Sequence, residues 1–287
     1  MRDNVMAGTV KERKQFMMML RIAAAVIVTL LMFFPVYWLL ISALKTQSEM
    51  RMAVPTFWPE RFAWENFAEA FRVIPYARFF GNTLLMAVGT IILQLNVALM
   101  AAYAFAKGRF WGRDVLFLLV LAALIVPEQV IFVPVYVMMS KLDWLNTFWA
   151  LIVPHGASAY AIFLLRQAFK SINNDVLEAA RVDGAGRFSI LYKLLFPMAR
   201  PTIVTMGVLI FISSWNSYFW PLIMTNDNDM RVLTVGIAML RDSIAGNEAM
   251  FFNVIMASSV MAIIPIVLVF TLMQKHIVAA MANSTFK

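Results

Sequence analysis

Six stretches of this 287-residue chain are apolar over more than the ~18 residues a bilayer crossing needs, and that pattern excludes most folds. Their limits fall near residues 17–44, 81–106, 115–139, 148–169, 202–225 and 250–274. Only 14% of residues are charged, against about 25% in a water-soluble domain, so there is too little charge for an aqueous surface. The expected fold is therefore all-α: a polytopic membrane protein with six transmembrane helices. These helices and their loops use up the length, leaving no room for a separate soluble enzyme domain. Pro127 and Pro134 in the third stretch, Pro154 in the fourth and Pro265 in the sixth are expected kinks.

The first stretch is too long for a signal-peptide core and is followed by Lys45-Thr46-Gln47, not by small residues, so it reads as a retained helix. Counting Lys and Arg with both termini on one side gives sixteen there and eight opposite, out of 24. The positive-inside rule then puts both termini in the cytoplasm. Segments 45–80 and 226–249 face outward, and 107–114 and 170–201 face inward. The same placement explains the net charge of +8 without nucleic acid, because the charges lie in short loops between apolar runs. Cysteine is absent, which excludes disulfides, thiolate metal sites and a Cys nucleophile. The two histidines, His155 and His276, make zinc or haem chemistry unfavoured, and the 22 scattered methionines read as flexible packing.

The inward segment 171–201 is unusually long for a cytoplasmic loop and carries two helical patterns. Ser171, Asn173 or Asn174 can cap a helix through 176–182, whose Val176, Ala179 and Ala180 lie at i, i+3 and i+4. Asp183-Gly184 breaks it, glycine supplying the freedom for a sharp turn. A second amphipathic turn over 188–196 leads to Pro197 and Pro201. Two short helices joined at a glycine fit either a plug for another protein's socket or an amphipathic pair resting on lipid headgroups.

Glu178-Ala179-Ala180, Asp183-Gly184-Ala185, Pro197 and Pro201 resemble the EAA loop of binding-protein-dependent ABC importer permeases. The likeness extends to Asn82-Thr83-Leu84, Ala102-Tyr103-Ala104-Phe105-Ala106, Leu145-Asn146-Thr147 and the run from Trp215 to Leu222. Together these are similar to the carbohydrate-uptake branch, the maltose and glycerol-phosphate type. The resemblance implies an importer-type transmembrane domain over 78–274, preceded by a cytoplasmic segment 1–16, a first helix 17–44 and an extracytoplasmic loop 45–77. A cytoplasmic tail follows over 275–287. It implies as partners a second permease subunit, two ATPase subunits and an extracytoplasmic substrate-binding protein, all in or at the cytoplasmic membrane. Glu178 would make polar contacts with the ATPase, Ala179 and Ala180 would fill its cleft, and Asp183, Gly184 and Pro197 would shape the coupling loop. The outer loop 226–249 would touch the binding protein. The chain departs from the pattern in its tail, which lacks the Gly-rich basic ending of many relatives.

No G-x-x-x-x-G-K-[ST] phosphate loop occurs, so ATP and Mg are expected in the partner ATPases and no cofactor in this chain, which reads as non-catalytic. Glu128 is the sharpest polar group within a span. At ~13 residues into a continuous helix it would lie about 20 Å deep, where a carboxylate costs ~2.5–3.5 kcal/mol. It reads either as a hydroxyl-accepting contact for a sugar or as a polar link to the partner subunit. Trp215, Asn216 and Tyr218, with Ser217, combine aromatic faces with hydrogen-bonding tips and suit a sugar, or else anchor at the outer interface. Gln94, Asn96 and Ser158 read as bonds between helices, and His155 as a partner for a carbonyl freed by Pro154. The alternatives are a self-contained secondary transporter or channel, which wants paired titratable groups in its spans, and a membrane enzyme, which wants clustered His, Asp or Glu. Both leave the 171–201 loop unexplained.

Overall fold

The structure, a computed structural model, describes residues 2–243 and 252–285. Every regular element among them is helical. Three helices are long and apolar enough to cross a membrane unaided: Gln15–Ala43, Tyr76–Lys107 and Phe252–Lys275. Three further crossings are available only as bent pairs, which brings the number to six if each pair is one span.

The bends fall where the chain removes backbone donors. Arg113–Ile125 and Glu128–Lys141 meet at 100° across Val126-Pro127. Proline has no N–H to continue the ladder and drives the residue before it out of the helical region, and Val126 is extended at ψ 117. The expected continuous helix over 115–139 is thus two helices, and the depth of Glu128 cannot be reckoned by helical rise. Phe148–His155 and Ala159–Lys170 bend by 47° after Pro154. The third pair, Arg187–Met198 and Arg200–Trp215, bends by 86° at Ala199. The expected fifth span, 202–225, is interrupted as well: Arg200–Trp215 ends at Asn216, and Phe219–Met224 follows. Pro35, Pro134 and Pro265 lie inside helices that continue through them. The last helix runs to Thr285, so most of the expected tail 275–287 is helical backbone. Part of the expected outer loop, 244–249, lies outside the described residues.

The chain separates into two compact units, Met1–Ala70 with Leu240–Met261, and Phe71–Met239 with Ala262–Lys287. In the first, the apolar helix Gln15–Ala43 is almost wholly uncovered, as a lipid-facing helix must be. Its end is closed by polar side chains. Thr46 and Glu49 form a reciprocal capping box. Asn66 donates its amide to the carbonyls of Ala43 at 2.8 Å and Lys45 at 2.9 Å, and its Oδ1 accepts from Asn253 at 2.7 Å. Lys45 is buried, its ammonium 4.6 Å from the Trp38 ring and bonded to the Thr56 carbonyl.

In the second unit, Tyr76–Lys107 is the central post, packed along Ala159–Lys170 and Arg200–Trp215. Fully buried Ala87, Ala98, Ala102 and Ala161 let the backbones close up, a common device where lipid supplies no hydrophobic drive. Leu165, Phe169, Leu191 and Leu195 fill one end. At the other end Asn82 donates to the carbonyls of Asp229 at 2.8 Å and Arg231 at 2.9 Å, and Thr83 accepts from Leu233 N at 2.8 Å. Asn82→Leu leaves both carbonyls without this donor, at about 1–3 kcal/mol for each one left unsatisfied. Its expected signature is a lower melting temperature in detergent and faster proteolysis near residue 229, with Leu85→Ala, which is exposed, as the unaffected control.

Candidate functional site

A cavity of about 260 Å³ opens beside the central helix at the level of the breaks. Met86, Thr90 and Gln94 face it at four-residue spacing, one stripe of the helix Tyr76–Lys107. Glu128 enters from the break after Pro127, His155 and Ser158 from the break after Pro154, and Ser213, Ser214 and Ser217 from the end of Arg200–Trp215. The chain interruptions are therefore what bring polar groups to one place.

Glu128 is the first residue of the helix Glu128–Lys141. There its side chain stands beside the free N–H groups of the first turn. Gln94 donates its amide to the His155 carbonyl at 2.7 Å, so it is at once a bond between helices and a wall of the cavity. His155, expected to bond a freed carbonyl, instead sets its ring edge-on to Trp220 at 5.2 Å and lines the cavity with Glu128. Gly156 follows because a Cβ there would stand 2.7 Å from Leu93 and 3.0 Å from the Val153 carbonyl. The buried Thr90 hydroxyl lines the cavity and has no protein partner.

The aromatic cluster expected to join this site lies elsewhere. Trp215 is 2% exposed; it stacks on Phe211, meets Phe80 edge-on and donates Nε1–H to the Ala262 carbonyl at 2.9 Å. Asn216 turns its amide back to the Ile212 carbonyl at 2.9 Å, and Tyr218 is an exposed residue at the start of Phe219–Met224. Neither lines the cavity, whereas their neighbour Ser217 does. Thr90, Ser213 and Ser214 were not singled out from sequence. The Ser-Ser pair at the end of an apolar helix was the available signal.

The second feature is the helix pair between 173 and 198. Asn173 caps Asn174–Val182 through Asp175 N at 3.2 Å. The helix ends in a Schellman turn: Gly184 N bonds Arg181 O at 3.0 Å and Ala185 N bonds Ala180 O at 2.9 Å, with Gly184 at φ +81. The return helix runs from Arg187 through a π-helical stretch Ile190–Leu195 to Met198, with Pro197 exposed in its last turn. Leu177 is buried, and Ala180 packs partly against the same core. That corrects the expected outward face, since Ala180 turns inward while Val176 and Ala179 stay outside. Val182 is 88% exposed and Phe188 69%, so the turn projects an apolar tip. Glu178 and Arg181 line a small cavity of about 150 Å³ with Lys107, Arg109 and Arg113. Lys107 ties the loop to the central helix through the Ile172 carbonyl and the Asn174 side chain, both at 2.7 Å. Arg166 ties its own helix to two others, its guanidinium 3.8 Å from the Phe117 ring centre and Nε bonded to the Phe105 carbonyl.

Residues 94–283 match the family model described as "Binding-protein-dependent transport system inner membrane component". The chain belongs to that family. The match takes in both the helix pair and most of the cavity wall. Among curated relatives, the arabinooligosaccharides transport system permease protein AraQ of Halalkalibacterium halodurans is 32% identical over 86% of this chain and 88% of the relative. The sn-glycerol-3-phosphate transport system permease protein UgpE of Yersinia pestis is 30% identical over 90% and 94%. The diacetylchitobiose uptake system permease protein NgcG of Streptomyces coelicolor is 30% identical over 88% and 83%. Among solved structures, a chain of a bacterial ABC transporter involved in the import of the acidic polysaccharide alginate superposes with TM-score 0.81 at 23% identity, covering 92% of this chain and 97% of that one. A chain of the alginate transporter in complex with its pentasaccharide-bound periplasmic protein gives 0.62 at 16%, covering 92% and 94%. The fold is that of an importer permease, and the family is one of transport components.

Proposed function

We propose that this chain forms half of the transmembrane pathway of an ATP-driven importer for a sugar or oligosaccharide. The observation that carries this reading is the Gly184-turned helix pair, which projects Val176, Ala179, Val182 and Phe188 from a chain without a phosphate loop. A rigid apolar tip on a capped, braced base is suited to a socket on a separate motor. On lipid headgroups the tie from Lys107 to Ile172 and Asn174 would serve no purpose. In this reading the tip enters one of two ATPase subunits, which bind ATP and Mg. Their closure on ATP moves the helix pair, and the cavity beside Glu128 turns outward to receive substrate from an extracytoplasmic binding protein. Glu128 and Ser217 belong to the solute path, and Trp215 holds its wall. A second permease subunit completes the cavity, and both termini face the cytoplasm, as the sixteen-to-eight distribution of Lys and Arg argues. The saccharide class is supported by the relatives named for arabinooligosaccharides and diacetylchitobiose.

The test is copurification of the chain with its partners from native membrane, followed by a sugar panel scored for binding-protein-dependent ATPase stimulation. Stimulation by no saccharide, with robust stimulation by another solute class, would overturn the substrate reading. Glu178→Lys adds a fifth cation to the four that line its pocket, and is expected to lower uptake at least about tenfold while insertion stays normal. Normal uptake by this variant would sink the docking assignment of Glu178.

A further inference from the structure

We infer that the cavity beside Glu128 discriminates by charge: it admits neutral or amine-bearing saccharides and rejects those carrying uronate, sulfate or phosphate. This rests on the reading of that cavity as the solute path.

The described lining holds one acidic side chain, Glu128, and no lysine or arginine. Lys107, Arg109, Arg113 and Arg181 line a different cavity at the helix pair. The rest of the wall combines apolar side chains such as Met86, Leu151 and Leu209 with His155 and several hydrogen-bonding groups. Thr90 offers a buried hydroxyl without a protein partner, while Ser213, Ser214, Ser217 and Tyr160 add hydroxyl groups to the wall. Gln94 has its amide committed to the His155 carbonyl, and the Ser158 hydroxyl oxygen accepts from Ala161 N at 3.2 Å. Hydroxyls can exchange hydrogen bonds with the hydroxyls of a sugar as its water is stripped. An anionic group entering here would lose its hydration, meet the Glu128 carboxyl and find no lysine or arginine on this wall. An amine would find in Glu128 a carboxyl partner at the first residue of its helix. Glu128 is thus the specificity-determining residue of this half, acting through its charge.

The natural absence of cysteine makes the charge of the cavity directly measurable. Thr90→Cys and Ser214→Cys each give this chain one thiol on the cavity wall. In the complete importer reconstituted in vesicles at pH 8, where an imidazole is neutral, each thiol is treated with a cationic trimethylammonioethyl or an anionic sulfonatoethyl methanethiosulfonate. Each rate is divided by that reagent's rate with a small thiol in solution, and modification is read on this chain by mass. The expected cation-to-anion ratio is at least about tenfold, as for a cleft lined by one sign of charge. It should fall toward one when Glu128→Gln is added and invert with Glu128→Lys. A ratio near one or favouring the anion in the Glu128 background overturns the inference. So does failure of both thiols to react in protein that copurifies normally with its partners, because the cavity is then closed to water. The measurement requires no transported sugar, so a failed sugar panel counts against the function and leaves this result standing.

Discussion

Gly184→Val is expected to abolish uptake while leaving membrane insertion and pairing with the second permease subunit intact. Gly184 holds φ +81 at the Schellman turn, where a β-branched residue is a strong outlier. Left-handed backbone costs an L-residue roughly 1–2 kcal/mol, and relaxing it breaks the two bonds that close the turn, from Gly184 to Arg181 and from Ala185 to Ala180. The helix Asn174–Val182 would then keep its cap and its buried Leu177 but lose the direction of the return segment. A Cβ at 184 meets nothing within 4 Å, so the damage within this chain is conformational and not steric. That separates two causes by experiment. Asparagine tolerates left-handed backbone, so Gly184→Asn should retain most uptake if the turn alone matters. Equal loss with Asn and Val would mean that any side chain there collides with the docked partner. Uptake, surface-accessible insertion tags and copurification of the second subunit, measured together, distinguish these outcomes.

Trp215→Ala should cost the protein about 3–5 kcal/mol of stability, the usual penalty for emptying a large buried aromatic site. The ring is 2% exposed between Phe211 and Phe80, and its N–H satisfies the Ala262 carbonyl. The expected result is a much lower melting temperature in detergent and little assembled complex. Trp215→Phe keeps an aromatic ring and removes the donor, so it should cost about 1–3 kcal/mol through the orphaned carbonyl. Ser217→Ala, two residues on, should leave the melting temperature unchanged and alter transport. If Trp215→Ala instead assembles normally and loses only affinity for solute, the ring belongs to the path after all.

These two residues mark where the sequence was informative and where it was not. Gly184 was legible because a capped helix followed by Asp-Gly can end in few ways, and the left-handed turn is a local property. Leu177, by contrast, went unremarked, and Ala180 was placed on the wrong face. The 3.6 period identifies a stripe but not which stripe meets the rest of the chain, and here the core formed with Phe169 and Leu191 decides it. The apolar stretches were visible for the same local reason, since length and hydropathy need no tertiary knowledge. Their continuity was not visible, because Pro127 breaks a helix and Pro134, seven residues on, does not. Trp215 was assigned to the solute path by residue type, yet aromatic type is shared by sugar platforms and packed cores. Thr90 and the Ser213-Ser214 pair were overlooked because isolated hydroxyls in apolar helices usually bond their own backbone, as Thr205 and Ser259 do here.

The breaks at Val126-Pro127, Gly156 and Asn216 have a mechanical meaning. Bending an intact apolar helix means rupturing backbone hydrogen bonds in a medium that offers none in return. At these three joints the ladder is already interrupted, so a change of angle between the two halves sacrifices little further bonding. The unbroken post Tyr76–Lys107 has no such joint and resists bending along its length. The cavity beside Glu128 lies between that post and these interruptions, and in the proposed importer small rotations delivered at the Gly184 tip would change its walls without unravelling any helix.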